Sequence, residues 1–301
     1  MNKLNITYHQ NYDIPVPAKH RFVGTKFSDL FNYLKQQSLF SQCLVTHPQN
    51  APISRLNFAH SQSYVTNVAQ DSLSDSDLRK INLPWSSQIR QRSFKAVEGT
   101  LEAAKLALQF GIACHVGGGT HHAHRNYGYG FCVFNDLAYT AINLIEENYV
   151  KTVLILDLDV HQGDGTIDIC KDHPAIYTCS IHSESNFPFE KKQGWMDVSI
   201  PAGSKDDFYL QQLEITLSEI DERISPDIIL YDAGVDIYLK DGLGNLDISL
   251  EGIRHRDHMV LNHYRSKGIP VATVIGGGYS QSQQELAARH SIIFETAIDF
   301  I

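Results

Sequence analysis

Short apolar runs rich in Val, Ile and Leu alternate along this chain with longer stretches whose apolar residues recur at helical spacing, and this alternation dictates the architecture. Ile112–Val116 reads as a strand after a helix from about Gln88 to Phe110, with Gly111 as its C-cap. A helix is predicted around Asn135–Glu147, then strands at Val153–Leu156 and Ala175–Ile181. Lys205–Arg223 reads as a helix and Asp227–Tyr231 as a strand. Ser249 is placed as the N-cap of a helix ending at Gly268, followed by a strand at Ile269–Ile275 and a last helix at Gln281–Ile298. A crossover long enough to hold a helix joins strands in parallel, and the helices then cover both faces of the sheet. The expectation is an α/β fold, with one domain over residues 1–301, a mainly parallel central sheet and helices on both faces.

The residues just past each predicted strand are more telling than the strands themselves. Gly117-Gly118-Gly119-Thr120-His121-His122 comes after the first, and Asp157-Leu158-Asp159-Val160-His161-Gln162-Gly163-Asp164 after the second. His182 comes after the third, Asp232-Ala233-Gly234-Val235-Asp236 after the fourth, and Gly276-Gly277-Gly278-Tyr279 after the fifth. Open parallel sheets bind ligands outside the carboxyl ends of their strands. Five strands therefore deliver Gly, His, Asp and Tyr to one rim.

Composition excludes several other classes. With 25 Lys and Arg against 34 Asp and Glu, the formal charge is −9, so a general nucleic-acid binder is not expected. No apolar run approaches the length of a membrane span. The Ser/Asp-rich stretch Asp71–Asp77 reads as an exposed loop. Five cysteines, with no CxxC pair, fit reduced and mostly buried thiols. Together with an N-terminus unlike a signal peptide, they lead to a cytoplasmic expectation.

The rim residues suit metal chemistry. Asp159 and His161 stand two apart, so an extended chain turns both to one side. Asp236, from a neighbouring strand, can complete a set of one imidazole and two carboxylates. Such a set leaves a position open for water and substrate, which is the habit of a catalytic zinc site, and it also suits Fe(II). His121 and His122 beside a metal-bound water can act as general base and acid, each oriented by a carboxylate, for which Asp157 and Asp164 are the candidates. Tyr279 can donate a hydrogen bond to a developing oxyanion. His115 and His124 read as ordinary packed or surface histidines. No Walker phosphate loop, GxGxxG or GxSxG motif occurs.

The segments GGGTHHAHRNYGYGFCVFND, LDLDVHQGDG, DAGVD and GGGY resemble the zinc-dependent histone deacetylase family of the arginase-like α/β superfamily. Order and spacing match from about Arg90 to Tyr279, and YHQNYDIPVPAKHRF and FAHSQSYV extend the likeness toward the N-terminus. DAGVDIYLKDGLGNLDIS looks closest to the class IV branch and its bacterial relatives.

The resemblance implies a three-layer fold and a lysine deacylase that removes acetyl or longer acyl groups from a protein or peptide. It makes Asp159, His161 and Asp236 the zinc ligands. His121 backed by Asp157, His122 backed by Asp164, and Tyr279 become the catalytic set. Phe131 and Gly130 match one wall of an acyl-lysine tunnel and Phe187 the opposite wall. Asp157, Asp159, His161, Ser180 and Ile181 match a structural potassium site, and Arg21 an arginine near an internal exit channel. Gln162 stands where many relatives carry a second His, and three glycines instead of four precede Tyr279. Three other readings stay open: an acetylpolyamine or other small-amide deacetylase, a two-metal ureohydrolase, and a non-catalytic module that binds acyl-lysine.

Overall fold

Eight strands line up in one sheet in the order β2-β1-β3-β8-β7-β4-β5-β6, and every neighbouring pair runs parallel. They are β1 (Leu4–Thr7), β2 (Cys43–Thr46), β3 (Ile112–His115), β4 (Val153–Asp157), β5 (Ile176–Ser183), β6 (Met196–Ile200), β7 (Ile228–Asp232) and β8 (Val271–Val274). The structure is a computed structural model that describes residues 3–17 and 19–301.

The helices fall into two groups, each packing among its own members. One holds α2 (Ile53–Ala59), α3 (Gln62–Ala69), α5 (Ser87–Phe110), α6 (Asp136–Glu146) and α7 (Asp164–Cys170). The other holds α1 (Lys26–Gln36), α8 (Asp206–Arg223), α9 (Leu250–Arg265) and α10 (Gln283–Ala297). A short α4 (Asp75–Ile81) lies outside both. β3, β4, β7 and β8 are buried at every residue, as a strand covered on both sides must be. They read as unbroken apolar runs for that reason. The expected three-layer α/β architecture is observed.

Local chemistry fixes the element ends. Gly111 closes α5 with φ +92°, a backbone setting that glycine adopts without strain. Ser249 Oγ accepts from Gly252 N at 2.9 Å and caps α9 as expected. Three strands have no counterpart among the predicted ones: β1, β2 and β6. Each is four or five residues long and carries polar residues that blunt its pattern, such as Asn5, Thr7 and Asp197. The stretch Asp71–Asp77 is largely exposed, but it is a loop only at its start. Ser74 forms a capping box with Asp77 and opens α4.

β3 leads into α6 and β8 leads into α10, so the chain leaves these two adjacent strands toward different helix layers. Such a divergence opens a crevice at the carboxyl edge of a parallel sheet. The site lies there.

Candidate active site

Four strand ends build the site. β4 runs out into Asp157-Leu158-Asp159-Val160-His161, and β7 into Asp232 through Asp236. Asp159, His161 and Asp236 bring one donor atom each to within 4.8 Å of one another, all buried. His161 Nδ1 lies 3.0 Å from Asp159 Oδ1 and 3.1 Å from Asp236 Oδ2. Backbone amides hold the acids in place. Val160 N donates to Asp236 Oδ1 at 2.9 Å, and Gly277 N donates to Asp159 Oδ2 at 2.6 Å.

Oδ2 of Asp236 has no hydrogen-bond donor. Burial, with the charge of Asp159 beside it, raises the Asp236 carboxyl to about 6. Two buried carboxylates so close together are sustained only by positive charge between them. The donor set, one imidazole and two carboxylates, is that of a divalent transition ion with an open position. The residues fit a metal.

The histidine pair stands beside this set. His121 Nδ1 lies 2.7 Å from Asp157 Oδ2, and His122 Nδ1 lies 2.6 Å from Asp164 Oδ1. Burial opposes charge on His121, but Asp157 and Asp159 outweigh it and hold its pKa well above the ordinary value. Burial, reinforced by the charge of His121, pushes His122 down to about 4. Two adjacent rings are thus driven apart into one protonated and one neutral imidazole, the arrangement that separates acid from base.

Tyr279 is anchored from behind. Asp241 Oδ2 accepts from Tyr279 N at 2.7 Å and from Arg289 Nη1 at 2.9 Å. Arg289 Nη2 donates to Tyr279 O at 3.2 Å. Burial and the charges of Asp236 and Asp159 keep the phenol protonated. Glycine is required at the crossing of the β3 and β8 ends. A Cβ on Gly119 (φ +75°) would run into Gly276 Cα and approach Asp232 Oδ2 to 2.8 Å.

These groups open onto a cavity of about 360 Å³. Phe131, Phe187 and Gly130 line it, together with His121, His122, Asp159, His161 and Tyr279. The Phe187 ring stands edge-on to His122 at 4.9 Å. Gly130 and Phe131 both have positive φ, and their amides donate to Lys80 O and Ile81 O at the end of α4. One tunnel wall is therefore fixed by α4, a helix whose start falls in the stretch that reads as loop in sequence.

Some expectations shift. His182 lies within β5 and not after it, bonded to Ser180 Oγ at 3.0 Å, and does not line the cavity. Ser180 is the register partner of Asp157, with Ile181 next in β5. Arg21 lines the cavity but is exposed, whereas Lys26 and Arg92 line it and are buried. His124 is no ordinary histidine. It bridges Asp164 Oδ2 at 3.2 Å and Asp168 Oδ2 at 3.1 Å, one step behind His122.

Two further residues matter to which the sequence reading gives no role. Asp232 is buried with neither carboxylate oxygen bonded, in a second acid–histidine group with His121 and Asp157. Arg256 on α9 is fully buried and donates to Leu158 O, Ala233 O and Gly234 O at 3.3, 3.2 and 2.5 Å. It ties together the backbones that carry Asp159 and Asp236. The only sequence signal for it is an Arg–Asp pair inside an amphipathic helix.

Comparison with known proteins gives the family. The histone deacetylase domain model matches residues 20–293. The chain is 41% identical over 294 residues to an uncharacterized protein of Picosynechococcus sp., covering 98% of each. It is 29% identical to Histone deacetylase 2 of Arabidopsis thaliana, over 96% of this chain and 78% of that protein. It is also 29% identical to the acetoin utilization protein AcuC of Bacillus subtilis, over 87% and 73%. Among solved structures, an HDAC homolog complexed with SAHA superposes with TM-score 0.82 at 22% identity, covering 98% of this chain and 84% of that one. The HDA15 HD domain gives 0.81 at 20%, covering 98% and 90%. The match to the family model over most of the chain means that this protein belongs to the histone deacetylase family.

Proposed function

We propose that the protein is a zinc-dependent lysine deacylase, hydrolysing the amide between a lysine side chain and an acetyl or longer acyl group. The observation that carries this reading is the convergence of Asp159, His161 and Asp236 beside two histidines, each backed by its own carboxylate, in an aromatic-walled cavity. Asp159, His161 and Asp236 would hold the ion, and the same donors suit Fe(II). When bound, a divalent ion supplies Lewis acidity for an acyl carbonyl and a lowered pKa for a water.

The chain's own groups do the rest. Asp164 takes the Nδ1 proton side of His122 and leaves Nε2 free to accept a proton from water, so His122 is the general base. His121, kept protonated by Asp157, delivers a proton to the departing amine. The Tyr279 hydroxyl donates to the oxyanion that develops on the acyl carbon. Phe131 and Phe187 flank the lysine methylenes and exclude water. Asp157, Asp159, His161, Ser180 and Ile181 are proposed to hold a structural potassium ion, supported by the side-by-side register of Asp157 and Ser180.

One catalytic ion per chain is expected. Gln162 Nε2 donates to Lys192 O and Asp197 Oδ1, both at 2.8 Å, so Gln162 is committed elsewhere and adds no second ligand. Two tightly bound manganese ions would favour a ureohydrolase and overturn the reading. A reducing, cytoplasmic setting is part of the proposal, supported by five free cysteines, four of them buried. Among the described residues no helix is long and apolar enough to cross a membrane.

The test is Tyr279→Phe. Turnover of an acetyl-lysine peptide should fall ~100- to 1000-fold with the fold and metal content retained. Turnover near that of the wild type would reject the assignment.

A further inference from the structure

Among the described residues, buried Lys and Arg side chains are paired with a carboxylate, with two exceptions. Arg256 is fully buried beside Asp257 at 2.8 Å, and Arg289 beside Asp241 at 2.9 Å. Lys26 and Arg92 are 5% and 4% exposed, and among the described residues neither has a carboxylate within 4.0 Å. Lys26 Nζ donates to Gly276 O at 2.8 Å, and Arg92 Nε donates to Tyr12 O at 2.7 Å. Among the described residues, these two carbonyl oxygens are their only hydrogen-bond acceptors.

Both exceptions sit on one wall of one cavity. Lys26 comes from α1 and Arg92 from α5, on opposite helix layers, yet both line the active-site cavity. They flank the Phe27 ring, with Nζ of Lys26 5.5 Å and Cζ of Arg92 4.7 Å from its centroid. Phe22, Phe27, Gly118 and Gly119 complete this wall. The exposed lining residues Arg21 and Phe189 mark the mouth, so the buried cations mark the inner end. A buried charge without a partner is costly, and two of them facing one space call for an anion there. Burial pushes Lys26 down to about 8, although the charges of Asp236, Asp159 and Asp232 work the other way.

We propose that the inner end of the cavity is a carboxylate subsite, built by Lys26 and Arg92, for the far end of a dicarboxylic acyl chain such as succinyl or glutaryl. This rests on the deacylase reading and narrows its substrate class. The acyl carbonyl lies at the metal donors, the methylenes pass Phe22 and Phe27, and the distal carboxylate meets the two cations. Water adds across the amide, releasing the lysine amine and a free dicarboxylate. A short product such as acetate bears the same group, but it has no methylenes to span the apolar wall.

The experiment compares kcat/KM on one peptide carrying acetyl-, butyryl-, valeryl-, succinyl- or glutaryl-lysine. Succinyl and glutaryl should exceed the neutral chains of equal length by ~10-fold or more, the value of a charge-assisted hydrogen bond. In Lys26→Met and Arg92→Met the ratio of charged to neutral acyl should fall toward one. Thermal unfolding monitors folding, and loss of an unpaired buried charge should leave the midpoint unchanged or higher. A neutral acyl favoured by the wild type, or a ratio unmoved by both substitutions, would overturn the subsite. If no acyl-lysine turns over, the deacylase reading has failed, and glutarate binding by calorimetry decides the subsite alone. Glutarate should then bind the wild type at least ~10-fold more tightly than acetate or butyrate and lose that margin in Lys26→Met. Equal binding of glutarate and acetate would reject it.

Discussion

Exchanging Asp164 for Asn tests the proposed general base at the level of one proton. Asp164 Oδ1 lies 2.6 Å from His122 Nδ1, and Oδ2 lies 3.2 Å from His124 Nε2. An ionised carboxylate only accepts, so both facing nitrogens carry hydrogen and Nε2 of His122 keeps its lone pair. An amide has one accepting and one donating end. It could reverse the His122 tautomer by turning its NH2 to Nδ1, which would block the base. A second acid favours the other orientation. His124 Nδ1 lies 3.1 Å from Asp168 Oδ2, which can take its hydrogen and leave Nε2 to accept from the amide. The amide oxygen then faces His122, and its tautomer survives.

What Asp164→Asn removes is therefore charge alone. A hydrogen bond to a charged group contributes about 1.5–3 kcal/mol against about 1 for a neutral one. The loss is about 0.5–2 kcal/mol, or ~2- to 30-fold in kcat. Adding Asp168→Asn releases His124, frees the amide to turn, and should extend the loss to ~1000-fold or more. The assay is steady-state turnover of an acyl-lysine peptide, with metal content measured in each variant. A loss of ~10,000-fold in the single variant would show that Asp168 does not protect the tautomer. No loss would show that His122 is not the base.

Three other substitutions probe the frame around the site. Gly277→Ala would drive a methyl into Asp236 Oδ2 and to 2.5 Å from Asp159 Oδ2, so metal affinity should drop ~100-fold or more while circular dichroism is retained; unchanged affinity in a chelator competition would remove these acids from the ligand set. Arg256→Met strands the buried Asp257 and three carbonyls, which should cost about 3–5 kcal/mol in urea unfolding; a cost under about 1 kcal/mol would contradict the clamp. His60 Nε2 accepts from Asn135 N at 3.0 Å and Nδ1 donates to His124 O at 3.0 Å, so protonation would set N–H against N–H. Burial pushes His60 down to about 4, whereas the unfolded ring takes its proton near ~6.5. Its stabilisation is full above ~6.5 and is lost as pH falls toward 4, by about 3 kcal/mol in all. Urea midpoints at pH 7.5 and 5.0 should diverge, and His60→Gln should narrow the gap; an unchanged gap would refute the linkage.

The rim is legible in the sequence because of how a parallel sheet is made. Its central strands are solid apolar runs, so the first polar residues after each run must lie at one edge. Asp159, His161, Asp236 and Tyr279 can be named on that ground. Lys26 and Arg92 cannot, since each is a single cation in an amphipathic helix that in sequence resembles any solvated position. Only the meeting of α1 and α5 at one cavity shows that they are buried. His124 is hidden for a similar reason. Its partners Asp164 and Asp168 lie one helical turn apart on α7, a short helix whose pattern is too brief to recognise. The motif resemblance assigns Arg21 to an internal channel, but its side chain is exposed at the mouth.

The strand order bears on how the protein comes into being. β8 is made last of the eight, yet it lies in the interior of the sheet, between β3 and β7. Until it inserts, β2-β1-β3 and β7-β4-β5-β6 are separate ribbons, each with an apolar inner edge open to mispairing. His121 and His122 hang from the first ribbon, and Asp159, His161 and Asp236 from the second. Gly277 and Tyr279 arrive with the closing strand. The two halves of the site therefore stay apart until β8 is made, and the chain is most exposed to aggregation just before the step that joins the two ribbons.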